Sequence, residues 1–417
     1  MSLALLSLLA LLAAILISSF TRVNVGVLSI AFAFVIGTVL GDLGVRDVVA
    51  GFPASLFLTL VGITLLFSMA RVNGTLERLT ALALGLAQGR AGLVPIIFFF
   101  LALVFATAGP GNIAAVAMLA PVAMAAAARG GISPLLMAVM VCNGANAGAL
   151  SPIAPTGIIA NDLMGQIGLV DVEWRNYLNT MLAQSFVAVA GYVALGGVGL
   201  LARSDREVST EMLGVERLPW SAQQKWTLAA IGLLLAGIVL FDLDVTMGAF
   251  LAAAFLSVIG ACDESEAMSV VPWGAIILVC GVTVLVAIVG STGGIDLATR
   301  WIASVSTATS VNGVIAFVTG VLSVYSSSSG VIMPAFLPMG PGLVENLPGA
   351  DLLSISYSIN VGAHLVDVSP LSTLGAICLA AAFDEHRARL FNQLLIWGLS
   401  MSVVGALVCW VFFGLLG

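Results

Sequence analysis

The stretch Asn143-Gly144-Ala145-Asn146-Ala147-Gly148-Ala149-Leu150-Ser151-Pro152-Ile153-Ala154-Pro155-Thr156-Gly157 stands between two strongly apolar segments, where a membrane helix would otherwise run on unbroken. It gathers three glycines, two prolines, two asparagines and two hydroxyl side chains. Backbone released from a helix inside a bilayer finds no water to bond, so it survives only buried in protein or lining a cavity. A second copy lies downstream as Asn360-Val361-Gly362-Ala363-His364-Leu365-Val366-Asp367-Val368-Ser369-Pro370-Leu371-Ser372-Thr373-Leu374-Gly375. Gly144 pairs with Gly362, Ser151-Pro152 with Ser369-Pro370 and Gly157 with Gly375, each at an offset of 218 (369 − 151 = 218). Interrupted helices at matching places in two halves are the sequence signature of a secondary transporter's binding site.

Composition sets the solvent. Of 417 residues, 60% are hydrophobic and 8% charged, against about 25% charged in a soluble domain. The chain therefore reads as an all-α polytopic membrane protein. At about 20 residues per span there is room for roughly ten to twelve crossings and re-entrant pieces. The net charge of −7 names no partner, because the acidic residues lie scattered in loops. The lipid bilayer is the partner required, and nothing points to nucleic acid. The five cysteines form no C-x-x-C pair and read as small packing residues. Residues 1–20, with no basic segment before them, read as a first span rather than a cleaved signal.

Apolar runs place spans at 2–20, 25–41 and 53–70. The mixed segment 71–92 suits a helix lying in the membrane interface. The run 93–128 is interrupted at Thr107-Ala108-Gly109-Pro110-Gly111-Asn112. Each side of that break is short for a full crossing, which predicts a re-entrant hairpin with its tip near Gly109 to Asn112. A broken helix then covers 134–170 and a span 177–202. The only long polar stretch, 203–225, divides a first repeat (1–202) from a second (226–417) as a linker. In the second repeat, spans fall at 226–241, 245–261 and 272–290, with a polar arm at 291–300. A hairpin follows at 310–345, its tip at Ser326-Ser327-Ser328-Ser329-Gly330, then a broken helix at 352–381 and a last span at 392–416.

The repeat reaches beyond the two motifs. At an offset of 219 (272 − 53 = 219), Gly41 meets Gly260, Pro53 meets Pro272, Gly62 meets Gly281 and Gly74 meets Gly293. Five crossings in each repeat put the halves in opposite orientations, so the expected architecture is two inverted-topology repeats, each of five spans plus a re-entrant hairpin. With the linker in the cytoplasm, all 14 basic residues except Arg46, Arg175 and Arg300 fall on the cytoplasmic side, as the positive-inside rule requires. Both termini are then outside. The first hairpin enters from the cytoplasm and the second from the exterior.

At this point the residues resemble a family. Gly111-Asn112-Ile113-Ala114-Ala115-Val116-Ala117-Met118-Leu119-Ala120-Pro121 is similar to the hairpin-tip motif of divalent anion/sodium symporters, S-N-T followed by small residues and a proline. Ser151 to Gly157 resembles the unwound segment of their broken helix. The nearest flavour is the malonate/dicarboxylate carrier branch of the ion-transporter superfamily. Gly111 and Ile113 stand where that motif has Ser and Thr, and the second tip is a serine run ending in Gly330. The resemblance implies a homodimer in the bacterial inner (cytoplasmic) membrane. A scaffold holds still while a transport domain slides as an elevator, carrying a dicarboxylate and sodium ions. Sodium, rather than proton, as coupling ion follows from the resemblance alone.

An anion at the midplane can be held without a full positive charge. Hairpin tips and broken helices present helix N-termini, whose free N–H groups and dipole favour carboxylates. Asn112, Asn146, Thr156, Ser328, Ser329, Ser372 and Thr373 are candidate substrate donors, and His364 joins them as a substrate contact or proton acceptor. Carbonyls expected to be freed around Asn143-Gly144 and Asn360-Gly362 would hold a hard cation such as Na+, with Asn112, Ser151, Ser329 and Asp367. His364 and Asp367 are the only ionisable residues of the second motif, and such groups are costly at membrane depth. The plainer reading of any one hydroxyl is a bond back to its own helix. For His364 and Asp367 it is a satisfied histidine and a carboxylate capping freed N–H groups. No arginine or lysine lies in either motif, which argues against a charge-clamped site. His386 reads as an exposed loop residue and Asp162 as a helix end.

An intramembrane enzyme is the rival of a different class. There is no H-E-x-x-H, and two histidines cannot build a histidine-rich metal site. Ser369 near His364 is all that a serine-nucleophile reading has. Catalysis is therefore not expected. A channel suits paired broken helices less well than alternating access. Among transporters the rivals are an arsenite or metal–citrate carrier of the same superfamily, and the membrane subunit of a binding-protein-dependent carrier. The reading that remains is a cation-coupled secondary transporter of a small dicarboxylate, malonate- or succinate-like.

Overall fold

A chain this apolar must satisfy its backbone within each segment, and the helix does so locally. The computed structural model describes residues 2–21, 23–84, 91–201, 219–241 and 243–416, and among these every regular element is helical. The chain is an all-helical polytopic membrane protein. Four of its described helices, Ala54–Val72, Gly111–Arg129, Trp273–Ser291 and Arg387–Leu415, are long and apolar enough to cross a membrane by length and composition.

In order, α1 (Leu3–Phe20) and α2 (Val25–Phe34) come first, α2 running on as a π-helical turn over Val35–Leu40. Then come α3 (Val45–Ala50), α4 (Ala54–Val72) and the short α5 (Thr75–Leu84). α6 (Leu93–Ala108) and α7 (Gly111–Arg129) pack together as the first hairpin. The first broken helix is α8 (Pro134–Ala149) and α9 (Pro155–Gln166), followed by α10 (Glu173–Ala194) and α11 (Gly197–Leu201). After the undescribed stretch come α12 (Ala222–Phe241), α13 (Val245–Val258), α14 (Glu264–Val270), α15 (Trp273–Ser291) and α16 (Gly294–Ser304). The second hairpin descends through α17 (Val311–Ser323) and returns in pieces. These are a π turn at Ser328–Ile332, α18 (Met333–Phe336), a 3-10 turn at Leu337–Met339 and α19 (Gly340–Asn346). The second broken helix is α20 (Leu352–Leu365) and α21 (Thr373–Ala381), and α22 (Asp384–Cys409) closes the chain with a π turn at Trp410–Leu415.

Several boundaries differ from those read in the sequence. The second arm of the first hairpin is not short: α7 has 19 residues, because its alanine-rich turns carry the helix past Pro121 to Arg129. The returning arm of the second hairpin is instead broken up, with prolines at Pro334, Pro338 and Pro341 each removing a donor. The last helix starts at Asp384, eight residues before the predicted span (392 − 384 = 8), so His386 belongs to a helix and not to a loop. The linker 203–225 lies largely outside the described residues, and its final part, from Ala222, already belongs to α12. The interfacial segment 71–92 reduces to the end of α4, α5 and the turn at 91–92 before α6, with 85–90 outside the described residues.

Helices approach closely where glycine leaves room. A Cβ on Gly144 of α8 would overlap the backbone of Phe99 on α6, and one on Gly362 of α20 would overlap the backbone of Ala316 on α17. The two crossings correspond at nearly the same offset (316 − 99 = 217; 362 − 144 = 218). A reciprocal exchange joins the halves elsewhere: α4 lies along α13 while α15 lies along α2. Cys142 on α8 and Cys378 on α21 touch at 3.5 Å between sulfurs, both buried. Replacing Gly144 or Gly362 with alanine should therefore lower thermal stability by about 1–3 kcal/mol. Gly165→Ala, in α9 with open space around it, should be neutral or stabilising. Melting curves of the detergent-purified variants check this ordering, and equal melting of all three would refute it.

Candidate functional site

A helix that stops inside the protein leaves its last four carbonyls without intrahelical partners. At the end of α20 the missing partners come from other parts of the chain. The Ser328 hydroxyl, from the second hairpin tip, lies 2.9 Å from the Ala363 carbonyl, and the Asn146 amide, from α8, donates to the His364 carbonyl at 2.9 Å. Just beyond, Asp367 Oδ1 accepts from Ser328 at 2.5 Å and from Ser372 at 2.9 Å, and its Oδ2 accepts from Asn146 at 3.3 Å. The Ser323 and Ser328 hydroxyls are 2.5 Å apart. Asn146 Oδ1 in turn accepts from Asn112 at the first hairpin tip, at 2.8 Å. Asn112 Oδ1 takes the Ile113 N–H at 2.9 Å and the Thr156 hydroxyl at 3.3 Å. Both tips and both breaks are thus joined in one buried network.

The hydroxyls at the breaks act alike. Ser151 donates to the Thr107 carbonyl at 2.8 Å, and Ser369 to the Val324 carbonyl at 3.1 Å. Each anchors its break to the end of the first arm of its own hairpin. A Cβ on Gly157 would overlap the Ser151 carbonyl and one on Gly375 the Ser369 carbonyl, so both second half-helices start tight against their breaks.

In front of this network lies a cavity of about 400 Å³. Its wall holds Asn112 and Ile113 at the start of α7, Pro155 and Thr156 at the start of α9, Thr373 at the start of α21, and Ser327, Ser329 and Gly330 at the second tip. Opposite stand Thr64, Ser68 and Arg71 of α4 and Leu278 and Val279 of α15. The starts of three helices and of the Ser328–Ile332 turn therefore face one space. The positive ends of helix dipoles collect there, although the Ile113 N–H is already taken by Asn112 and the Gly330 N–H by Ser327. Arg71 is the charged side chain among the described lining residues, and it is exposed at the rim.

Of the substrate candidates, the cavity wall gathers Asn112, Thr156, Ser329 and Thr373. Asn146, Ser328, His364 and Ser372 sit behind it, in or beside the buried network with Asp367. The expected freed carbonyls are not free. Asn143-Gly144 and Asn360-Gly362 lie inside regular helix, and the breaks fall later, at 150–154 and 366–372. Alanine and leucine hold the helices on, and it is Pro152 and Pro370 that stop them. Gly144 and Gly362 are packing positions instead, Asn143 donates to the Val139 carbonyl of its own helix at 2.9 Å, and Asn360 donates to Asn176 Oδ1 at 3.0 Å. Among the described residues no group of three or more His, Cys, Asp or Glu could hold a metal ion. Arg71 was missed by the sequence reading, which counted it only as a cytoplasmic charge. It lies far from either motif in sequence, and only the approach of α4 to the hairpin tip brings it to the cavity.

Two hairpin tips and two interrupted helices around one polar-ended cavity define a class of helical membrane protein built to enclose a small ligand. Residues 1–149 match the family model described as the N-terminus of the dicarboxylate carrier protein MatC, so the family resemblance drawn from the motifs holds over that segment. The fold is shared with a solved structure, Neisseria gonorrhoeae MtrF, reported as one of a class of antimetabolite efflux pumps. The TM-score is 0.56 at 16% identity, over 88% of this chain and 82% of that one. Comparison with curated protein sequences gives no match.

The network orders its members by what each removal strands. Asn146→Leu leaves Asp367 Oδ2 and the Asn112 amide unpaired and the His364 carbonyl with a long bond of 3.4 Å from the Asp367 N–H, and should lower stability by about 3 kcal/mol or more. Ser372→Ala leaves Asp367 with Ser328 and Asn146 and should cost about 1 kcal/mol. Thermal melts of the two variants read the difference, and an equal loss would break the assignment.

Proposed function

We propose that the chain is a secondary active transporter of a small dicarboxylate, malonate- or succinate-like, coupled to a cation gradient. The observation that carries this reading is the convergence of helix starts on the cavity. Such ends attract carboxylates without adding a buried positive charge. The volume of about 400 Å³ suits a small molecule, since such sites run from about 300 to 1,000 Å³. Asn112, Thr156, Ser329 and Thr373 offer side-chain donors to one carboxylate, while Arg71 at the rim meets the other. The MatC match over residues 1–149 favours a dicarboxylate over other anions.

Sodium is the proposed coupling ion and is carried as a co-substrate. Its oxygen ligands would come from Asp367, Ser328, Ser372 and Asn112, the side chains that the tips and breaks bring together, and not from the carbonyls of Asn143 to Gly144 or Asn360 to Gly362. The architecture we infer is a pair of inverted repeats over 1–202 and 226–417 with a cytoplasmic linker between. Supporting it are the matched hydroxyl anchors Ser151 and Ser369, the matched crossings at Gly144 and Gly362, and the reciprocal packing of α4 on α13 and α15 on α2. In this reading both termini lie outside the bacterial inner membrane. The protein works as a homodimer and by an elevator motion of the hairpins and broken helices.

The purified chain reconstituted in liposomes, with labelled malonate and succinate, tests the function. Accumulation that depends on an inward sodium gradient at fixed pH is the expected result, and no uptake of either acid under sodium or proton gradients would overturn it. Asn112→Ala should abolish uptake with folding retained. Arg71→Gln should raise KM about tenfold or more while leaving kcat nearly unchanged, because a charge-assisted pair is lost only in binding. An unchanged KM would return Arg71 to a topological role.

A further inference from the structure

Away from the cavity, α10 carries Asn176, Thr180 and Gln184 at helical spacing on a buried face that packs on α8 and α20. All three are at most 1% exposed, yet Asn176 Nδ2, Thr180 Oγ1 and both polar atoms of Gln184 have no hydrogen-bond partner among protein atoms. Across from them the same holds for Asn143 Oδ1 on α8 and for Asn360 Oδ1 and His364 Nε2 on α20, in side chains that are fully buried.

The register brings these atoms into one line. Asn360 touches Asn176 at 3.0 Å, and His364, one turn on, is tied by Nδ1 to the Asn360 carbonyl at 2.7 Å. Tyr177 meets Thr107 and Tyr192 meets Gly92, so α10 runs antiparallel to α6. α8 runs parallel to α6, since Gly144 sits at Phe99 and Gly148 at Leu103. The ends of α8 and α20 point at each other where Asn146 caps His364, so α20 runs with α10. His364 then comes level with Thr180. On the other side Val139 meets Gly191, so in this antiparallel pair Asn143 comes level with Val187 (139 + 191 − 143 = 187), about one turn from Gln184. The seam starts in the first turn of α10 and reaches about 12 Å inward, eight residues at 1.5 Å each.

Seven stranded polar atoms at about 1–3 kcal/mol apiece would rival the whole stability of a domain, about 5–15 kcal/mol. A bound cation does not relieve them, because a hard ion takes oxygen only and the amide donors of Asn176 and Gln184 belong to the set. Water both donates and accepts, and buried water is the ordinary partner of such groups. We infer that the facing sides of α8, α10 and α20 hold a file of ordered water molecules that enters at the first turn of α10 and runs inward past Asn176, Thr180 and Gln184.

Two measurements on the full chain in lipid nanodiscs test this, and neither needs transport, so failure of the file and failure of the carrier reading stay distinct. In millisecond X-ray radiolysis, hydroxyl radicals formed from interior water oxidise the side chains beside it. Met164 and Met137 are equally buried, but Met164 lies against Asn360 at 3.6 Å whereas Met137 sits in the apolar core around α8. Met164 should be oxidised about tenfold faster than Met137, as next to ordered water; equal rates would overturn the file. The second measurement repeats the comparison on Thr180→Val with Gln184→Leu, which should slow Met164 oxidation about tenfold by drying the seam while leaving Met137 unchanged. An unchanged Met164 rate in the folded double variant would overturn the file.

Discussion

The end of α20 is the point on which the site depends. Its Ala363 and His364 carbonyls are inside the protein, beyond the reach of bulk water. The Ala363 carbonyl lies against Ser328 of one hairpin, and the His364 carbonyl takes Asn146 of the opposite broken helix beside a long bond of 3.4 Å from the Asp367 N–H. Unpaired, each would cost about as much as a sizeable part of the net stability. The helix can stop there only if both partners arrive. Asp367 then holds the partners in place, because its two oxygens collect Ser328, Ser372 and Asn146. A break that weakens an isolated helix becomes, in this setting, the joint that ties four segments together.

The same joint shows how the anion site proposed above would sit at membrane depth without a lysine or arginine in either motif. Stopping two helices creates two new starts, at Pro155 and Thr373, and the hairpin turns create two more, at Gly111 and at the second tip around Ser329 and Gly330. All four face the cavity. Fixed N–H dipoles attract an anion without the desolvation penalty of a buried full charge. They also release it more readily, which a carrier needs. The one full charge, on Arg71, stands at the exposed rim, where water lowers both its penalty and its grip.

What the sequence disclosed follows from what is local. Glycine and proline punctuation located both breaks and both hairpin tips, since a stopped helix is written in the residues that stop it. Asn112, Thr156, Ser329 and Thr373 reach the cavity because they lie within a few residues of those stops. Asn143 and Gly144 were misassigned for the same reason in reverse. They are near Pro152 in sequence, but alanines carry the helix past them, so their carbonyls stay in the ladder. Arg71 and the Asn176, Thr180 and Gln184 face belong to helices whose neighbours are set by tertiary packing. A polar residue every fourth position on α10 was visible, yet nothing in the sequence distinguishes a polar face turned inward from one turned to a headgroup layer.

The network also constrains any motion. A group of segments joined by buried hydrogen bonds from Asn112 through Asn146 and Asp367 to Ser328 resists internal separation, because parting any pair strands polar atoms in a dry interior. The two tips and two breaks therefore move together or not at all. On the other side of the cavity, α4 and α15 meet the tips through Phe67 at Gly109 and Leu278 at Gly330, contacts without direction, with Thr64, Ser68 and Arg71 lining the cavity beside them. Apolar surfaces slide with less loss than hydrogen-bonded ones, since dispersion contacts re-form at the next position. If access to the cavity alternates, the plane of movement lies along α4 and α15, and the substrate travels with the tips that hold it.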